Sequence, residues 1–484
     1  MSSPRPSPRK GESSVLSRRR LLSQLTRLGT VGLAGLASTG CAQPVHLPNL
    51  NGLVHQAFGQ AQQAANGTPP PKQLVWFTQI PPPRQTLASV QTGSPAWNEA
   101  KGWAQILDAW TAAHPDITLV HRVAPADSIT RQQIVAARVG DPGDVAYTDW
   151  GRLLGEAGVV DPLDVSQLAR KIVSAAFTVQ TAGDQVYAFP VFLSCLGLYR
   201  NHRRFQDAEI KVDQPLRDWS TFETAARKLT DRARQRFGFD VFGNGSPLSG
   251  EMRYGPFLWS AGGSFFSDAG DAATWDQSAG LSAIVYLARL SQNYASAGAA
   301  TAKDSVLVDR WLSGQTAMLL FGPELSAQAD QSAMDYDVQS VPAYFQGQSS
   351  SLAMSAGAVG LFSASQHKDW ALDFIHYLAG KDAQVAGLAY LRLLPANVEA
   401  GDTAPVFQHN PTMGQFLRIL REDDVHSFPM ARQRDADVQK IFQVYLGIAL
   451  QGLATPESAW TTSAGQATAL LKAPLPSTPT PIGH

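Results

Sequence analysis

Acidic, histidine and serine residues are the first candidates for chemistry, and their spacing matches no common enzyme motif. The chain contains no G-x-x-x-x-G-K-[ST] phosphate loop, no H-E-x-x-H helix and no G-x-S-x-G nucleophile elbow. The segment 243–250 is rich in glycine, but it lacks dinucleotide-binding spacing and indicates a loop. The sequence alone does not exclude a pair of carboxylates for glycoside hydrolysis, because such residues meet only in the folded chain.

Metal-ligating residues are equally scattered. The ten histidines form no convincing i, i+4 pair, and no Cys or His pairs stand at zinc-ligand spacing. Asp141 and Asp144 could suit a metal, yet a Pro-Gly turn between a helix and a strand explains them more simply. We therefore predict no metal and no cofactor.

Length and charge restrict the class of protein. The 484 residues are 44% hydrophobic and 16% charged, which indicates a globular body large enough for two lobes. The net charge is −1, but residues 1–40 carry seven basic residues and one acid, so the remainder is mildly acidic. A mildly acidic body argues against nucleic acid as a partner. Cys195 lies in an apolar run and is predicted to be a buried thiol.

Strand and helix signals alternate along the chain. Strands are predicted at 74–77, 117–120, 144–148 and 317–321, and helices at 97–114, 280–290 and 365–380. Ser220–Glu223 has the form of a capping box, which predicts another helix start. This alternation predicts an α/β architecture.

The N-terminal 41 residues have the order of an export signal. Arg18-Arg19-Arg20 precedes an uncharged run, 28–40, that is too short to span the roughly 30 Å hydrocarbon core of a membrane. The arginines resemble the Tat signal. Ser38-Thr39-Gly40-Cys41 resembles a lipoprotein lipobox, except that Leu is commoner than Ser at its first position, and it implies that Cys41 receives a lipid. The alternative is a disordered tail with a chance cysteine. Residues 42–71 are predicted to be a flexible tether, and 474–484 a disordered tail.

Several longer fragments follow one another in a fixed order between Lys72 and Asn397. They are Gly140-Asp141-Pro142-Gly143-Asp144-Val145 with Val160-Asp161-Pro162-Leu163, Val186-Tyr187-Ala188-Phe189-Pro190 with Leu198-Tyr199-Arg200-Asn201, Trp219-Ser220-Thr221-Phe222, Trp259-Ser260-Ala261-Gly262-Gly263, Gly314-Gln315-Thr316-Ala317-Met318, and 368–378 with Leu394-Pro395-Ala396. Their order and spacing resemble the extracellular solute-binding proteins of sugar-type ABC importers.

The resemblance implies a two-lobed, class II periplasmic-binding-protein-like fold with a hinge between the lobes. Segments near 187–191, 339–343 and 393–397 would cross between the lobes. The first lobe would contain 72–188 and 342–392, and the second 191–339 and 396–473. The ligand would lie in the cleft between them.

The resemblance also suggests where a sugar would bind. Such a site needs aromatic platforms and a few acids, amides or arginines. The candidates lie at strand ends, loops and crossing segments: Trp76, Asp149, Trp150, Tyr187, Tyr199, Trp259, Gly357 and Arg392. Core packing is the alternative for each aromatic, and an acid at a helix N-terminus is the alternative for Asp149. Trp103, Trp110 and Trp370 are predicted to be core residues.

One position departs from the family pattern. Where relatives have an aromatic after a glycine, Gly322-Pro323 is followed here by Glu324. Glu324 could accept hydroxyl hydrogen bonds or favour a cationic sugar, so it joins the candidate ligand-binding residues.

The expected protein is a non-catalytic, monomeric, lipid-anchored substrate-binding subunit outside the cytoplasm. It would deliver a carbohydrate to membrane permease subunits and their ATPases. The alternatives are a receptor for a phosphodiester, peptide or polyamine, a sensor that signals rather than transports, and a secreted carbohydrate-active enzyme.

Overall fold

The computed structural model describes residues 72–166, 172–246, 248–344, 348–427 and 435–473, all within one compact unit, Pro71–His484. The signal predicted at 1–41 with its Cys41, the tether at 42–71 and the tail at 474–484 lie outside these residues. No described helix has the length and apolar character needed to cross a bilayer.

The strands are numbered in chain order. They are β1 (Lys72–Thr78), β2 (Ile117–Val123), β3 (Val145–Thr148), β4 (Val160–Asp161), β5 (Thr181–Ala182), β6 (Gln185–Val186), β7 (Phe189–Pro190), β8 (Phe192–Cys195), β9 (Gly197–Asn201), β10 (Phe237–Phe239), β11 (Thr316–Phe321), β12 (Tyr336–Gln339), β13 (Ser350–Ser355), β14 (Ala358–Phe362), β15 (Leu394–Pro395) and β16 (Asp424–Ser427).

The helices are numbered in the same way. They are α1 (Pro83–Ser89), α2 (Pro95–Ala113), α3 (Ile129–Arg138), α4 (Gly151–Glu156), α5 (His202–Asp207), α6 (Trp219–Leu229), α7 (Ser249–Ser260), α8 (Ser278–Tyr294), α9 (Asp304–Leu312), α10 (Leu325–Gln331), α11 (Lys368–Ala379), α12 (Lys381–Leu391), α13 (Val398–Thr403), α14 (Val406–His409), α15 (Pro411–Glu422), α16 (Asp435–Gln451) and α17 (Pro456–Lys472), with 3₁₀ turns at Ser174–Gln180 and Ala299–Thr301.

The first sheet has the order β2-β1-β3-β14-β4, and β7 also pairs with β14. Its core includes the apolar face of α2, where Trp103 and Trp110 are buried as predicted. The side chain of Ser94 caps α2 by accepting a hydrogen bond from the Trp97 N–H at 3.2 Å. The helix ends just before Pro115, which has no N–H to continue it.

The second sheet has the order β10-β11-β9-β12 and packs against α6. The capping box predicted at Ser220–Glu223 is wrong. Asp218 caps α6, since its carboxylate accepts from the Thr221 N–H at 2.8 Å and the Thr221 hydroxyl accepts from the Asp218 N–H at 3.2 Å. The helix starts earlier because Trp219 is buried and stacks on Tyr286 with centroids 4.3 Å apart.

The third sheet, with the order β15-β8-β13-β16, is called the linking sheet here. In the chain, β8 lies between β7 of the first sheet and β9 of the second. Likewise, β13 lies between β12 of the second sheet and β14 of the first. The backbone therefore passes twice between the outer sheets through this sheet, and β15 adds a further strand on its edge.

The position of the second crossing differs from the expectation. Residues 339–343 lie beside the second sheet, because the Ala343 N–H donates to the Arg217 carbonyl and the Ala343 carbonyl accepts from Trp219, each at 2.9 Å. Tyr344 packs edge-on against Trp219. The connecting strand is β13, which begins at Ser350, so the first lobe does not begin at 342.

Candidate functional site

A groove with two neighbouring chambers lies where the turn after β3, the first 3₁₀ turn, helix α7 and the linking sheet meet. The inner chamber has a volume of about 220 Å³ and the outer chamber about 650 Å³, and both are lined by Ala175 and Val179 of the first 3₁₀ turn. The inner chamber is also lined by Asp149, Trp150, Leu248, Met252, Ala353, Met354 and Ser355. The outer chamber is also lined by Arg152, Ser174, Thr178, Trp259, Ser264, Phe265, Phe266, Val425, His426 and Ser427.

A tight turn after β3 holds Asp149 and Trp150 at the groove. The Trp150 N–H donates to Thr148 Oγ1 at 2.9 Å, and the Gly151 N–H donates to the buried Gln180 side chain at 2.8 Å. The Gln180 amide also donates to the Asp149 carbonyl at 3.1 Å. The Trp150 side chain packs against the hydrophobic cluster that contains the buried residues of α6, α7 and part of the second sheet.

The Asp149 carboxylate is poorly solvated. Burial raises the pKa of Asp149 to about 7, against the opposing effect of the Gly357 N–H, which lowers it. Its Oδ1 atom is buried and has no hydrogen-bond partner among the described residues. A buried polar atom of this kind marks a position at which a ligand donor would be stabilised.

Gly357 lies in the β13–β14 turn and shapes the backbone beside Asp149. Its φ is +125°, and a Cβ there would lie 2.0 Å from the Tyr147 hydroxyl oxygen. Its carbonyl accepts from the Val191 N–H at 2.8 Å, which ties the turn to the start of the linking sheet. The prediction of Gly357 as a ligand contact stays a prediction, because the residue does not line either chamber.

Trp259 forms one wall of the outer chamber at the end of α7. Its indole stacks on the His426 ring with centroids 4.5 Å apart and an angle of 9° between the planes. His426 Nε2 and Asp424 Oδ2 form a hydrogen bond of 2.8 Å. Because β16 carries both of these partners, the linking sheet fixes one face of the indole.

Several lining residues were not foreseen from the sequence. Met252 precedes Trp259 by seven residues on α7, two helical turns, and that spacing could have suggested it once Trp259 was chosen. Met354 and Ser355 come directly before the glycine turn at Gly357. His426 carries no local signal, because it reaches the groove through the pairing of β16 with β13.

Three predicted aromatics do not line the groove. Trp76 is fully buried within the first sheet's core, 5.6 Å from the Trp103 ring, and Tyr199 is fully buried in the second sheet with its hydroxyl donating to the Gly322 carbonyl. Both are corrected to core residues, because β1 and β9 point these side chains inward. Tyr187 is half-buried and its ring packs on Gly155 of α4, outside both chambers.

Two predicted charged residues also lie elsewhere. Glu324 accepts a hydrogen bond from Ser194 of β8 at 3.0 Å, and desolvation raises the pKa of Glu324 above its ordinary value. Arg392 forms an ion pair with Asp330 at 3.1 Å and lines a separate cavity of about 320 Å³ beside α12 and α14. Neither side chain lines the groove, and both ligand assignments stay predictions.

Few ionisable side chains line the groove. Asp149 is the one carboxylate among the described residues that line the two chambers. Among the residues the structure describes, no group of three or more His, Cys, Asp or Glu side chains is arranged to hold a metal ion.

Two α/β lobes, joined by a linking sheet with a groove beside it, define the class of two-lobed solute-binding proteins. An ABC transporter solute-binding protein from Thermotoga lettingae TMO, bound with alpha-D-tagatose, has 18% identity and a TM-score of 0.68 over 83% of this chain and 100% of that chain. The cyclic alpha-maltosyl-1,6-maltose binding protein from Arthrobacter globiformis has 17% identity and a TM-score of 0.69 over 83% and 99%. The maltose-bound MalE3 of T. maritima has 17% identity and a TM-score of 0.67 over 82% and 99%.

The family model for bacterial extracellular solute-binding proteins matches residues 96–385, and the chain belongs to this family. The predicted two-lobed α/β fold is thereby confirmed. No curated protein sequence matches the chain. The family consists of extracellular binding proteins, which gives an extracytoplasmic location and a binding role.

Proposed function

We propose that the chain is the substrate-binding subunit of an ABC importer and captures a carbohydrate in the groove. The observation that carries the proposal is that Asp149 and Trp150, after a strand of the first sheet, line the same groove as Trp259 of α7. Indole faces suit the C–H faces of sugar rings, and a carboxylate suits their hydroxyl groups. The solved relatives named with tagatose and maltose give this proposal further support.

The partners follow from the same proposal. Permease subunits with cytoplasmic ATPases would receive the sugar, since this chain has no phosphate-binding loop of its own. A lipid on Cys41 and the 42–71 tether would hold a monomer outside the cell membrane.

The first lobe would comprise 72–188 and the segment from β14 to 392, and the second would comprise 197–344 and 396–473.

A carbohydrate-active enzyme is disfavoured by the groove. Glycoside hydrolysis commonly needs two carboxyl groups about 5–10 Å apart. The described chamber linings supply Asp149 alone. A single carboxylate can bind a sugar hydroxyl, but it leaves the second catalytic role unfilled.

Polyamines and phosphodiesters fit less well. A polyamine would need an acidic groove, and Asp149 is accompanied here by Arg152 and His426. A phosphodiester would need free cationic groups, and the Arg152 guanidinium is paired with Glu156 at 2.8 Å.

Calorimetric titration of the full chain tests the proposal. The panel contains tagatose, maltose, maltotriose and galactose, with putrescine and glycerophosphocholine as non-sugar solutes. We expect a saccharide to bind and to be recovered unchanged by mass spectrometry. Binding of putrescine alone, or recovery of a cleaved sugar, would contradict the proposal.

Variants at two tryptophans localise the binding. Trp259→Ala should weaken saccharide binding at least about tenfold, because it removes a stacking face. Trp370→Ala is the matched control, since Trp370 stacks on His367 of the first lobe outside the groove.

The proposed lipid anchor is tested at Cys41. Cys41→Ala should release the chain from the membrane fraction, whereas Cys195→Ala, at the buried thiol, should not.

A further inference from the structure

The two chambers differ in the atoms that they present. Most of the inner surface is apolar and comes from carbon and sulfur atoms of side chains such as Val179, Leu248, Met252 and Met354. The outer chamber presents a larger polar share, including hydroxyl groups at Ser174, Thr178, Ser264 and Ser427. The groove is therefore amphipathic along its length.

The inner chamber has few groups that could pair with hydroxyls. Ser355 Oγ and Asp149 Oδ1 are buried and have no hydrogen-bond partner among the described residues. Methionine sulfur is only a weak acceptor. A fully hydroxylated hexose has more hydroxyl groups than Asp149, Ser355 and the Trp150 indole can pair, and each unpaired buried hydroxyl weakens binding.

The size of the inner chamber limits what it can hold. Its volume of about 220 Å³ lies below the roughly 300–1,000 Å³ of pockets that enclose a whole drug-sized ligand. This volume suits a single sugar ring. The outer chamber, at about 650 Å³, has room for further rings of the same molecule.

We propose that the inner chamber selects a deoxygenated terminal sugar, with the methyl group of a 6-deoxyhexose packed between Met252 and Met354. The inference rests on the proposed carbohydrate function and names the substrate class for that groove. Asp149 and Ser355 bind two of the ring hydroxyls, and the thioethers replace the partner that a 6-hydroxyl would need. The more polar outer chamber binds the hydroxylated remainder of the glycoside.

Matched sugar pairs that differ in one hydroxyl test this selection. The probes are L-fucose with L-galactose, L-rhamnose with L-mannose, and 6-deoxy-D-glucose with D-glucose, titrated calorimetrically at up to millimolar concentrations. We expect the deoxy member of at least one pair to bind about tenfold more tightly than its partner, and no pair to show the reverse.

The outcomes separate this inference from the broader function. Equal or tighter binding of the hydroxylated members overturns the selection while leaving a carbohydrate receptor intact. Binding of larger saccharides with no binding of any of these monosaccharides also overturns it. Absence of binding to every saccharide, including the wider panel, contradicts both proposals.

Methionine-to-glutamine variants test the mechanism. Met252→Gln and Met354→Gln keep side-chain length and add an amide that can pair with a 6-hydroxyl, so each should reduce the deoxy preference to about threefold or less. Met334→Gln, at a half-buried methionine outside the groove, is the matched control and should keep the full preference. An unchanged preference in both groove variants, at native melting temperature, overturns the role of the thioethers.

Discussion

Burial of the Asp149 carboxylate makes the stability of the protein depend on pH. An unfolded aspartate ionises near pH 3.9, whereas burial raises the pKa of folded Asp149 to about 7. Between these values the folded state binds more protons than the unfolded state, so the free energy of unfolding falls as the pH rises, by up to about 4 kcal/mol. Burial therefore disfavours the charged form of Asp149, and the Gly357 N–H offsets only part of this cost.

The Asp149→Asn variant should reveal this effect. Asn keeps the shape but carries no charge, so we expect wild-type stability near pH 4 and a gain of about 1–3 kcal/mol near pH 8. Urea unfolding across this pH range measures the difference. Asp382→Asn, at a carboxylate whose side chain is 92% exposed, controls for the loss of one charge. A pH-independent difference would contradict the interpretation.

Gly357 lets the backbone pass close to the Tyr147 side chain, because glycine has no Cβ. Gly357→Ala combines an unfavourable φ with a Cβ 2.0 Å from the Tyr147 hydroxyl oxygen, so we expect a loss of about 3 kcal/mol or more and weaker ligand binding. Gly140→Ala is the matched control, because Gly140 has φ +80° and open space around its Cβ position. It should lose only about 1 kcal/mol, and similar losses in thermal unfolding of both variants would argue against the steric explanation.

At the scale of elements, the start of α6 shows that the residue that caps a helix can differ from the one that the sequence pattern predicts. Asp218→Ala should cost about 1 kcal/mol because it removes the side chain that caps α6. Ser220→Ala should change stability by a few tenths of a kcal/mol at most, since Ser220 is an exposed residue inside the first turn. Chemical denaturation measures the free energy of unfolding of both variants. A larger loss for Ser220→Ala than for Asp218→Ala would support the capping box predicted at Ser220–Glu223.

Periodicity predicted the elements better than it predicted their contacts. The helix expected at 97–114 is α2, and the strand expected at 317–321 is β11, because hydrophobic spacing reflects which face is buried. The second crossing was misplaced because nothing local distinguishes Ala343 beside α6 from β13 in the linking sheet. Which strands pair across a large sequence separation is a property of the whole chain.

The candidate site was only partly predictable for the same reason. Asp149, Trp150 and Trp259 line the groove, whereas Trp76 and Tyr199, which were equally suggestive in the sequence, are core residues. A tryptophan's burial depends on the elements packed over it, which its own segment does not encode. Residues such as Met252 and His426 reach the groove from distant parts of the chain.

At the scale of the whole molecule, function requires that the ligand favour one arrangement of the lobes. A solute that contacts both lobes shifts the equilibrium toward the conformation in which those contacts exist. The linking sheet provides a few strands through which such a hinge movement can occur. Contacts between lobes away from the ligand then set how much of the protein is ready to bind.

Arg392 is one such contact. It follows α12, which belongs to the proposed first lobe, and it pairs with Asp330 of α10. A short turn joins α10 to β11 of the second sheet. The Gln331 amide adds a hydrogen bond of 2.7 Å to the Gly93 carbonyl of the first lobe. Both contacts hold these segments together in the present conformation, although neither Arg392 nor Gln331 lines the groove.

Removing the ion pair should therefore change all ligand affinities by one common factor. For Arg392→Gln we expect every saccharide Kd to rise by the same amount, about two- to tenfold, because the binding-competent fraction falls while the groove contacts are unchanged. Trp259→Ala should instead alter the ratios between sugars, since it removes a direct contact. Calorimetry of both variants against one panel distinguishes the cases. If the rise in Kd for Arg392→Gln differed from one sugar to another, the result would instead indicate a direct contact between Arg392 and the ligand.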